Sequence, residues 1–499
     1  MSSKHLLVNK SRLFWLFTFD TLKLRDSLRN ISRQLAESPI IQGWTYYYDP
    51  SERHLGLSEI MVKDEAEEES SAQSLFELLQ RTDFFVLDEE FFEAQTYTRF
   101  LLEGFRLRHP LLPNPLTVDV LFMLTKWGVG CLGFCTDTED PLTPAQLATL
   151  QLILKKEEPV LKAELPLKLL EEIGHFDADI RARVEAAREK GKTTQRIGTI
   201  AMGQIAFYYM SAIISVINGR KFDSMDEIAE KQRYETYIPH PLIIIEEATP
   251  SYDSAFELVE KHPREIYQIL EQLEYVDPTD ITNQAAEKFA DSISTDREDI
   301  WYNASIGSSL QIVTPRTREI AKLNPEHDEE SNYLVDIFQP YVENEIVQIQ
   351  RYLILMLEFY LSSQDMTELQ PNELSNLKET IVKSLEIFHG VRVSGNSISK
   401  ERIELGKEVT LVNLVQETID RKLLLIETGV AEYQESLKDF TQAILGVILG
   451  VVPAILLVLP GDDIVKLGLS VILSVGLTVA ARYSAKYIWK RKRQRQALI

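Results

Sequence analysis

The segment from Phe440 to Pro460 reads FTQAILGVILGVVPAILLVLP, which is 21 residues without a charged side chain. At a rise of about 1.5 Å per residue, a helix of this length measures about 30 Å, the thickness of the hydrocarbon core of a bilayer. These residues therefore predict a first transmembrane helix over 440–460.

A second apolar run follows from Ile464 to Ala481, and Lys466 is its only charged residue. Lys466 lies one turn inside the run, where its long side chain can reach the polar interface. Gly461, Asp462 and Asp463 separate the runs as a turn too polar for lipid. The two runs predict a C-terminal transmembrane hairpin, with 464–481 as the second helix and 461–463 as the outer loop. A buried hairpin of a soluble core is the alternative.

Small residues on both predicted spans indicate close helix packing. Gly446 and Gly450 are four apart on the first span, and Ser470 and Ser474 are four apart on the second. Such spacing lets helices approach closely in lipid, either within the hairpin or between copies of the chain. Pro453 lies in the middle of the first span and predicts a kink there.

Charge is distributed unevenly along the chain. Residues 482–499 contain seven Lys or Arg and no acid, whereas the net charge of the whole chain is -23. Positive flanks stay on the cytoplasmic side, so two crossings place both the basic tail and the N-terminal body there. The predicted location is the bacterial inner membrane. The acidic balance argues against direct nucleic-acid binding, which needs basic surface.

Upstream of the first span, apolar residues recur at alternating steps of three and four. This heptad-like seam predicts a stalk helix over 398–439 that continues into the membrane. A long seam implies a homo-oligomer, or packing against earlier helices of the same chain. The seam residues are Val412, Val415, Ile419, Leu423, Ile426, Val430, Tyr433, Leu437, Phe440 and Ile444.

The N-terminal part mixes strand and helix patterns, so the predicted fold class is α+β, with a cytoplasmic α/β sensing domain over 1–315. A long-helix region follows over 316–397, with helical stretches near Asn332–Leu361 and Glu373–Phe388. The uncharged run Ile197–Ile217 contains several polar residues, and a buried helix is favoured over a third span. Short runs rich in β-forming residues predict strands at Leu13–Phe19, Trp44–Tyr48, Leu55–Val62, Val118–Leu124, Val129–Phe134, Leu242–Ile245 and Leu310–Val313.

Motifs for catalysis are weak throughout the sequence. Gly128, Gly130 and Gly133 match a dinucleotide fingerprint in spacing, but a glycine-bearing hairpin explains them better than a strand-to-helix turn. The stretch Gly191–Thr194 resembles the end of a phosphate-binding loop, but Ala186 stands where the first glycine belongs, so a helix terminus is favoured. Cys131 and Cys135 are the only cysteines, which excludes a disulfide scaffold. We therefore expect no enzymatic activity.

The order of elements resembles the CorA family of divalent-cation channels: a cytoplasmic α/β domain, antiparallel helices, a stalk helix, two spans and a basic tail. The resemblance implies five copies around one pore lined by the first span. One face of that span presents Gln442, Leu445, Leu449, Leu456 and Leu459. Such a wall is mostly apolar and can close by dewetting.

One departure from the CorA pattern concerns the outer mouth. The family's Gly-Met-Asn signature is replaced by Leu459-Pro460-Gly461-Asp462-Asp463, so magnesium selectivity does not carry over. Asp462 and Asp463 then ring the mouth and attract cations, or they simply cap a turn. CorA-like proteins without the signature occur as antiviral effectors of type III CRISPR immunity, gated by a nucleotide second messenger.

Three classes of function follow from this resemblance. The first is a pentameric ion channel gated by its cytoplasmic domain, with a nucleotide-type ligand or divalent cations as the activating partner. The second is a transporter of magnesium or other divalent cations. The third is a membrane-anchored sensor or scaffold without a pore.

Overall fold

The structure is a computed structural model, and it describes most of the chain. The described residues are 6–21, 28–45, 60–62, 69–87, 97–153, 161–175, 177–219, 238–282, 297–323, 329–364, 371–389 and 397–458, with short pieces at 222, 224, 226–228, 284–286, 369, 476, 479, 483 and 487.

A mixed sheet of eleven described strands forms the centre of the fold. Its main path runs in the order β10-β11-β9-β1-β6-β5-β4-β2-β3, and β7 and β8 branch from β4. All pairs are antiparallel except β9 with β11, which is parallel. The strands are β1 (Leu7–Asp20), β2 (Ile41–Thr45), β3 (Ile60–Val62), β4 (Tyr97–Arg108), β5 (Leu116–Thr125), β6 (Val129–Thr138), β7 (Leu161–Pro166), β8 (Thr194–Ile200), β9 (Ile238–Thr249), β10 (Ile300–Ala304) and β11 (Ser309–Val313).

The structure describes thirteen α-helices in the two units of the chain. They are α1 (Leu28–Ala36), α2 (Glu69–Val86), α3 (Pro144–Leu152), α4 (Leu167–Ile173), α5 (Ala178–Arg188), α6 (Met202–Ile217), α7 (Ala255–Lys261), α8 (Pro263–Leu270), α9 (Pro315–Ala321), α10 (Glu329–Ser362), α11 (Pro371–His389), α12 (Ser397–Val409) and α13 (Val412–Val458).

The central strand β1 shows why the sheet has two different faces. Successive side chains of a strand point to opposite sides, and on β1 both sets are largely buried. Leu13, Trp15 and Phe17 belong to the main hydrophobic core together with α6. Arg12 and Phe14 therefore lie on the second face of the sheet.

The apolar run 197–217 ends in a buried helix. Ile200 and the residues just before it belong to β8, and α6 then begins at Met202. Tyr209 and Ile213 of α6 are fully buried in the main core. The Tyr209 hydroxyl donates to the Glu103 carbonyl oxygen at 2.6 Å, which satisfies the one polar atom that the ring brings into the core.

Helix α10 covers the second face. Phe14 of β1 contacts Phe338 and Tyr341 of α10, with ring centroids 5.3 and 4.9 Å apart. Beneath Tyr341 lies Gly133 of β6, where a Cβ atom would overlap the tyrosine ring. The close approach explains the glycine: any larger side chain would push the helix away from the sheet. Gly128 serves the hairpin itself, because its φ of 80° suits the turn between β5 and β6.

The chain divides into two units. The first comprises 1–353 and 389–412 and contains the sheet. The second comprises 354–388 and 413–499. Within the second unit, Lys422 Nζ of α13 contacts Glu358 Oε1 at 2.7 Å, and Lys378 Nζ of α11 contacts Glu427 Oε1 of α13 at 2.8 Å. The seam residues Ile419 and Ile426 are buried here within a single chain.

The structure contradicts the predicted membrane hairpin. In the part of the chain that it describes, no helix is both long enough and apolar enough to cross a bilayer. A span needs about 20 apolar residues in one helix. Within 440–460, the side chains that the structure describes are Thr441, Gln442 and Leu445.

Three predictions are corrected by this finding. They are the fold class with a C-terminal transmembrane hairpin, the assignment as a membrane protein and ion channel, and the location in the bacterial inner membrane. The α+β character of the sheet-containing unit stands. The second predicted span, 464–481, lies outside the described residues apart from Gly476 and Val479.

Candidate ligand-binding cleft

A cleft of about 1,020 Å³ opens on the second face of the sheet, within the first unit. Its floor is formed by β1, β5 and β6, and helices α2 and α10 form its walls. The size is at the upper end of what small-molecule sites offer, about 300–1,000 Å³.

Negative charge dominates the lining. Asp119 comes from β5, Asp137 from β6, Glu139 and Asp140 from the chain after β6, and Glu330 from the start of α10. Among the described residues of the lining, Arg12 of β1 is the one cation, so five carboxylates against one guanidinium leave a net charge of -4. Sheet register explains part of the cluster, because Arg12 is directly opposite Asp137, and Asp119 is opposite Cys135, two residues before Asp137.

Arg12 is already fully engaged by carboxylates. Its Nη2 atom donates a hydrogen bond to Asp137 Oδ2 at 3.0 Å, and its Nε atom lies 2.7 Å from Asp137 Oδ1. Nε also lies 3.5 Å from Oε1 of the buried Glu246, and the guanidinium packs over the Phe338 ring at 5.5 Å. Its charge therefore leaves little attraction for an anionic ligand.

Glu246 anchors the inner end of this cluster. Tyr333 donates its hydroxyl proton to Glu246 Oε2 at 2.9 Å, and Lys10 Nζ lies 3.6 Å from the same oxygen. Burial, reinforced by the charge of Glu246, raises the pKa of Tyr333 well above its usual value, so the phenol stays a proton donor. These bonds tie β9 to α10 behind the cleft and hold Arg12 in place.

The remaining carboxylates have weaker compensation. Glu330 lies 3.5 Å from Arg318 at the rim, and Asp140 accepts a hydrogen bond from Asn114 at 3.1 Å. Burial raises the pKa of Asp119, and the neighbouring charge of Asp137 raises it further, although Arg12 opposes both effects. Both Asp119 and Asp137 remain exposed to solvent, so a ligand can reach them.

Apolar side chains share the cleft with the carboxylates. Leu75 and Leu78 come from α2, Leu101 from β4, and Leu334 and Phe338 from α10. A site with a hydrophobic wall and a few charged groups orients a ligand that carries both kinds of surface. The arrangement therefore fits a molecule with positive charges joined by methylene groups or a ring.

The thiol on the cleft floor is not a nucleophile. Cys135 lines the cleft but is buried, and burial raises the pKa of its thiol well above the usual value. A reactive cysteine needs an environment that favours the thiolate. Cys131 is buried further along the same strand, and both cysteines are reduced.

Two buried arginines pair with glutamates of α10, one from the sheet and one from α12. Arg99 of β4 forms a bidentate pair with Asp83 of α2, at 2.7 and 2.6 Å, and its Nη2 also lies 2.7 Å from Glu345 of α10. Arg402 of α12 lies 3.5 Å from Glu343 of α10. Burial raises the pKa of both glutamates, and the arginines oppose this effect. Breaking such a pair would leave a charge stranded in the interior.

A serine and a histidine meet elsewhere on the second face. His240 Nε2 lies 2.9 Å from Ser309 Oγ, which donates to Asn344 Oδ1 of α10 at 2.9 Å. Both His240 and Ser309 are 1 % exposed, so no substrate reaches them. The group therefore serves to attach α10 to β9 and β11.

A metal site is not found in the described part of the chain, where no three His, Cys, Asp or Glu side chains converge closely enough to hold an ion.

The residues predicted from the CorA resemblance lie far along the chain from this cleft. Gln442 and Leu445 are exposed on α13. Gly446, Leu449, Gly450, Pro453 and Leu456 belong to the same helix, and only their backbone is described. Leu459, Gly461, Asp462, Asp463, Ser470 and Ser474 lie outside the described residues. Their roles in a pore or a mouth stay predictions.

Sequence patterns gave no sign of the cleft. Arg12, Asp119 and Asp137 are more than a hundred positions apart at the extremes and match no motif. The one signal available was local: each is a charged residue inside or at the end of an apolar strand, where a charge is unfavourable unless it is paired or has a function.

Comparison of the chain with protein-family models, with curated proteins and with solved structures gives no match. The resemblance to the CorA family and the predicted pentamer are therefore untested and stay predictions. What the cleft does has to be argued from its own chemistry.

Proposed function

We propose that this protein is a sensor that binds a small organic cation of the polyamine class in the cleft between α2 and α10. The observation that carries the proposal is the lining itself: five carboxylates, a single arginine already paired with Asp137, and an apolar wall. No catalytic step is proposed.

Electrostatics favour a cation strongly enough to matter. An ammonium group about 4 Å from a carboxylate gains about 4 kcal/mol near a protein surface, before the cost of removing water from both groups. A ligand with several ammonium groups can address Asp119, Asp137 and Glu139 together, and its methylene groups can lie along Leu334 and Phe338. Each contact uses surface that the cleft already presents.

A nucleotide second messenger is disfavoured at this position. Its phosphates would face a net charge of -4, and the one arginine is held by Asp137 and Glu246. The proposal keeps the predicted sensing domain, but the ligand is a cation instead of an anionic nucleotide.

Helix α10 is the element whose position would respond to a ligand bound in the cleft. Glu330, Leu334 and Phe338 of α10 line the cleft, and Glu343 and Glu345 of the same helix are held by buried arginines. A ligand that contacts α10 in one position better than in another shifts the population toward that position. The residues of α10 from Ile354 onward belong to the second unit.

Isothermal titration calorimetry with spermidine tests the proposal on the full chain. We expect binding by the wild type, no binding of ADP, and about tenfold weaker spermidine binding by Asp119→Asn, equivalent to about 1.4 kcal/mol. Glu319→Gln, which removes an exposed carboxylate on α9 outside the cleft, is the matched control and should bind like the wild type. Equal loss in both variants, or preference for ADP, would refute the cation site.

A further inference from the structure

A basic segment stands out on this acidic chain. Residues 178–200, which comprise α5, the following turn and β8, contain six Lys or Arg and three Asp or Glu, a net charge of +3. The whole chain has a net charge of -23, so the rest sums to -26. We call these residues the basic hairpin.

The cations of the basic hairpin are directed to solvent. Lys190 and Lys192 are exposed in the turn, and neither forms an ion pair with a residue that the structure describes. Arg188 pairs with Glu171 at 2.8 Å but is 64 % exposed at its side chain, and Arg196 lies 3.8 Å from Glu164 at 82 % exposure. Surface pairs of this kind contribute little and are easily exchanged.

Strand β8 forms an edge of the sheet. Among the described strands it pairs with β7 alone, in antiparallel register from Thr194 opposite Pro166 to Ile200 opposite Leu161. Within the described part of the chain, no backbone hydrogen bond ties Gln195–Thr199 to anything beyond β7. The Gln195 side chain donates to the Arg196 carbonyl oxygen at 3.2 Å, a local bond that an incoming strand can replace.

Natural proteins protect such edges with prolines, bulges and charged side chains. On β8 there is no proline, the register with β7 shifts by one residue between Ile197 and Ile200, and Gly198 has nothing within 4 Å of the position of a Cβ atom. Flanking lysines discourage pairing with a second basic edge but attract an acidic one. The edge of β8 and the positive charge beside it therefore both favour an extended acidic segment as the partner.

We propose that the basic hairpin is a docking site for an extended acidic segment of a partner protein, which adds to β8 as a further antiparallel or parallel strand. Main-chain hydrogen bonds to β8 supply the affinity, as in other cases of strand addition. Carboxylates on the added segment meet Lys190, Lys192 and Arg196, and these contacts select an acidic sequence. This inference is independent of the cation cleft.

Fluorescence anisotropy with a labelled peptide of alternating Thr and Glu tests the proposal on the full chain. We expect saturable binding, and about tenfold weaker binding of the same peptide with Gln in place of Glu. A third peptide keeps every Glu but is N-methylated at alternate residues, which blocks main-chain pairing. It should lose at least about tenfold in affinity as well.

Matched protein variants locate the site. Lys190→Glu with Lys192→Glu should weaken binding of the Thr-Glu peptide by about tenfold or more. Lys400→Glu with Lys438→Glu makes the same change in net charge at exposed lysines of α12 and α13 and should have no effect.

Three results would overturn the proposal. They are no peptide binding, equal binding of the N-methylated peptide, and equally tight binding of a single-stranded oligonucleotide of the same charge, which would indicate a general anion patch. Asp119→Asn, which weakens spermidine binding in the cleft, should leave peptide binding unchanged. The two proposals can therefore be refuted independently of each other.

Discussion

Arg12 of β1 and Asp137 of β6 occupy directly opposed positions of the sheet and form an ion pair, in which Nη2 donates a hydrogen bond to Oδ2 at 3.0 Å and Nε lies 2.7 Å from Oδ1. In the part of the cleft lining that the structure describes, the pair uses the one cation to neutralise one of five carboxylates. The affinity of the cleft for a positive ligand then depends on the carboxylates that this pair does not neutralise.

Arg12→Gln tests that relationship. The glutamine can still donate one hydrogen bond to Asp137 but removes the positive charge, so the cleft becomes more negative. We expect spermidine to bind up to about tenfold more tightly, measured by calorimetry. Weaker binding would mean that Arg12 orients the ligand rather than competing with it. Lys400→Gln, at an exposed lysine of α12, is the control for an equal change in net charge.

Binding should also depend on pH in a defined direction. Burial raises the pKa of Asp119 and of Asp137 above the usual range for aspartate, although Arg12 opposes the effect in both cases. As the pH falls through these raised values, the carboxylates take up protons and lose their attraction for ammonium groups. Spermidine stays protonated meanwhile, so its affinity should fall as the pH is lowered from about 7 toward 4.5.

Calorimetry at several pH values checks this dependence. The decline should be smaller in Asp119→Asn, which lacks one of the titrating groups. Affinity that rises as the pH is lowered would contradict a carboxylate site.

Gly133→Ala tests how closely α10 lies on the sheet. A Cβ atom at position 133 would overlap the hydroxyl of Tyr341 and lie 3.0 Å from its Cε2 atom. Overpacking of this kind costs about 1–3 kcal/mol, and we expect that loss in the free energy of unfolding measured by urea denaturation. Gly198→Ala on β8 is the matched control, because nothing lies within 4 Å of its Cβ position. Equal effects of the two substitutions would show that α10 has room to move.

Arg99→Met tests the buried ion pair beneath α10. The substitution keeps a long apolar stem but leaves Asp83 and Glu345 without their cation in the interior. We expect a loss of about 3–5 kcal/mol in the free energy of unfolding. Lys383→Met, which breaks the exposed pair with Glu379 at 2.7 Å, should leave the free energy of unfolding nearly unchanged. A small effect of Arg99→Met would mean that the two acids are already protonated in the folded state.

Part of the fold follows from sequence pattern. The runs Leu13–Phe19, Val118–Leu124 and Val129–Phe134 predict the strands that became β1, β5 and β6, because a nearly continuous apolar run is typical of a central strand with both faces buried. The helical stretch Asn332–Leu361 likewise predicts most of α10. Local periodicity is sufficient where both faces of an element are buried.

Other strands carry no such pattern. β4 interrupts its apolar residues with Arg99, Glu103 and Arg106, and β8 is a mostly exposed edge with the sequence TQRIGTI. The charge of Arg99 is tolerated because Asp83 and Glu345, which belong to two helices, lie beside it. These contacts depend on the tertiary structure and are not visible in the local sequence. The cleft is invisible for the same reason, since register between β1, β5 and β6 assembles it from distant positions.

The prediction of a membrane hairpin was wrong for a different reason. It rested on the length of two apolar runs alone, and the structure describes no helix with the length and apolar character that a span requires. The seam from Val412 onward offered packing against the protein's own helices as an alternative to self-association. Burial of Ile419 and Ile426 within one chain agrees with that alternative.

The most direct test of the central claim is a crystal structure of the protein with spermidine. The account predicts density for the ligand between α2 and α10, with ammonium groups within hydrogen-bond distance of Asp119 or Asp137 and methylene groups against Phe338. Density at another site, or an empty cleft at a spermidine concentration that saturates the calorimetric titration, would contradict it.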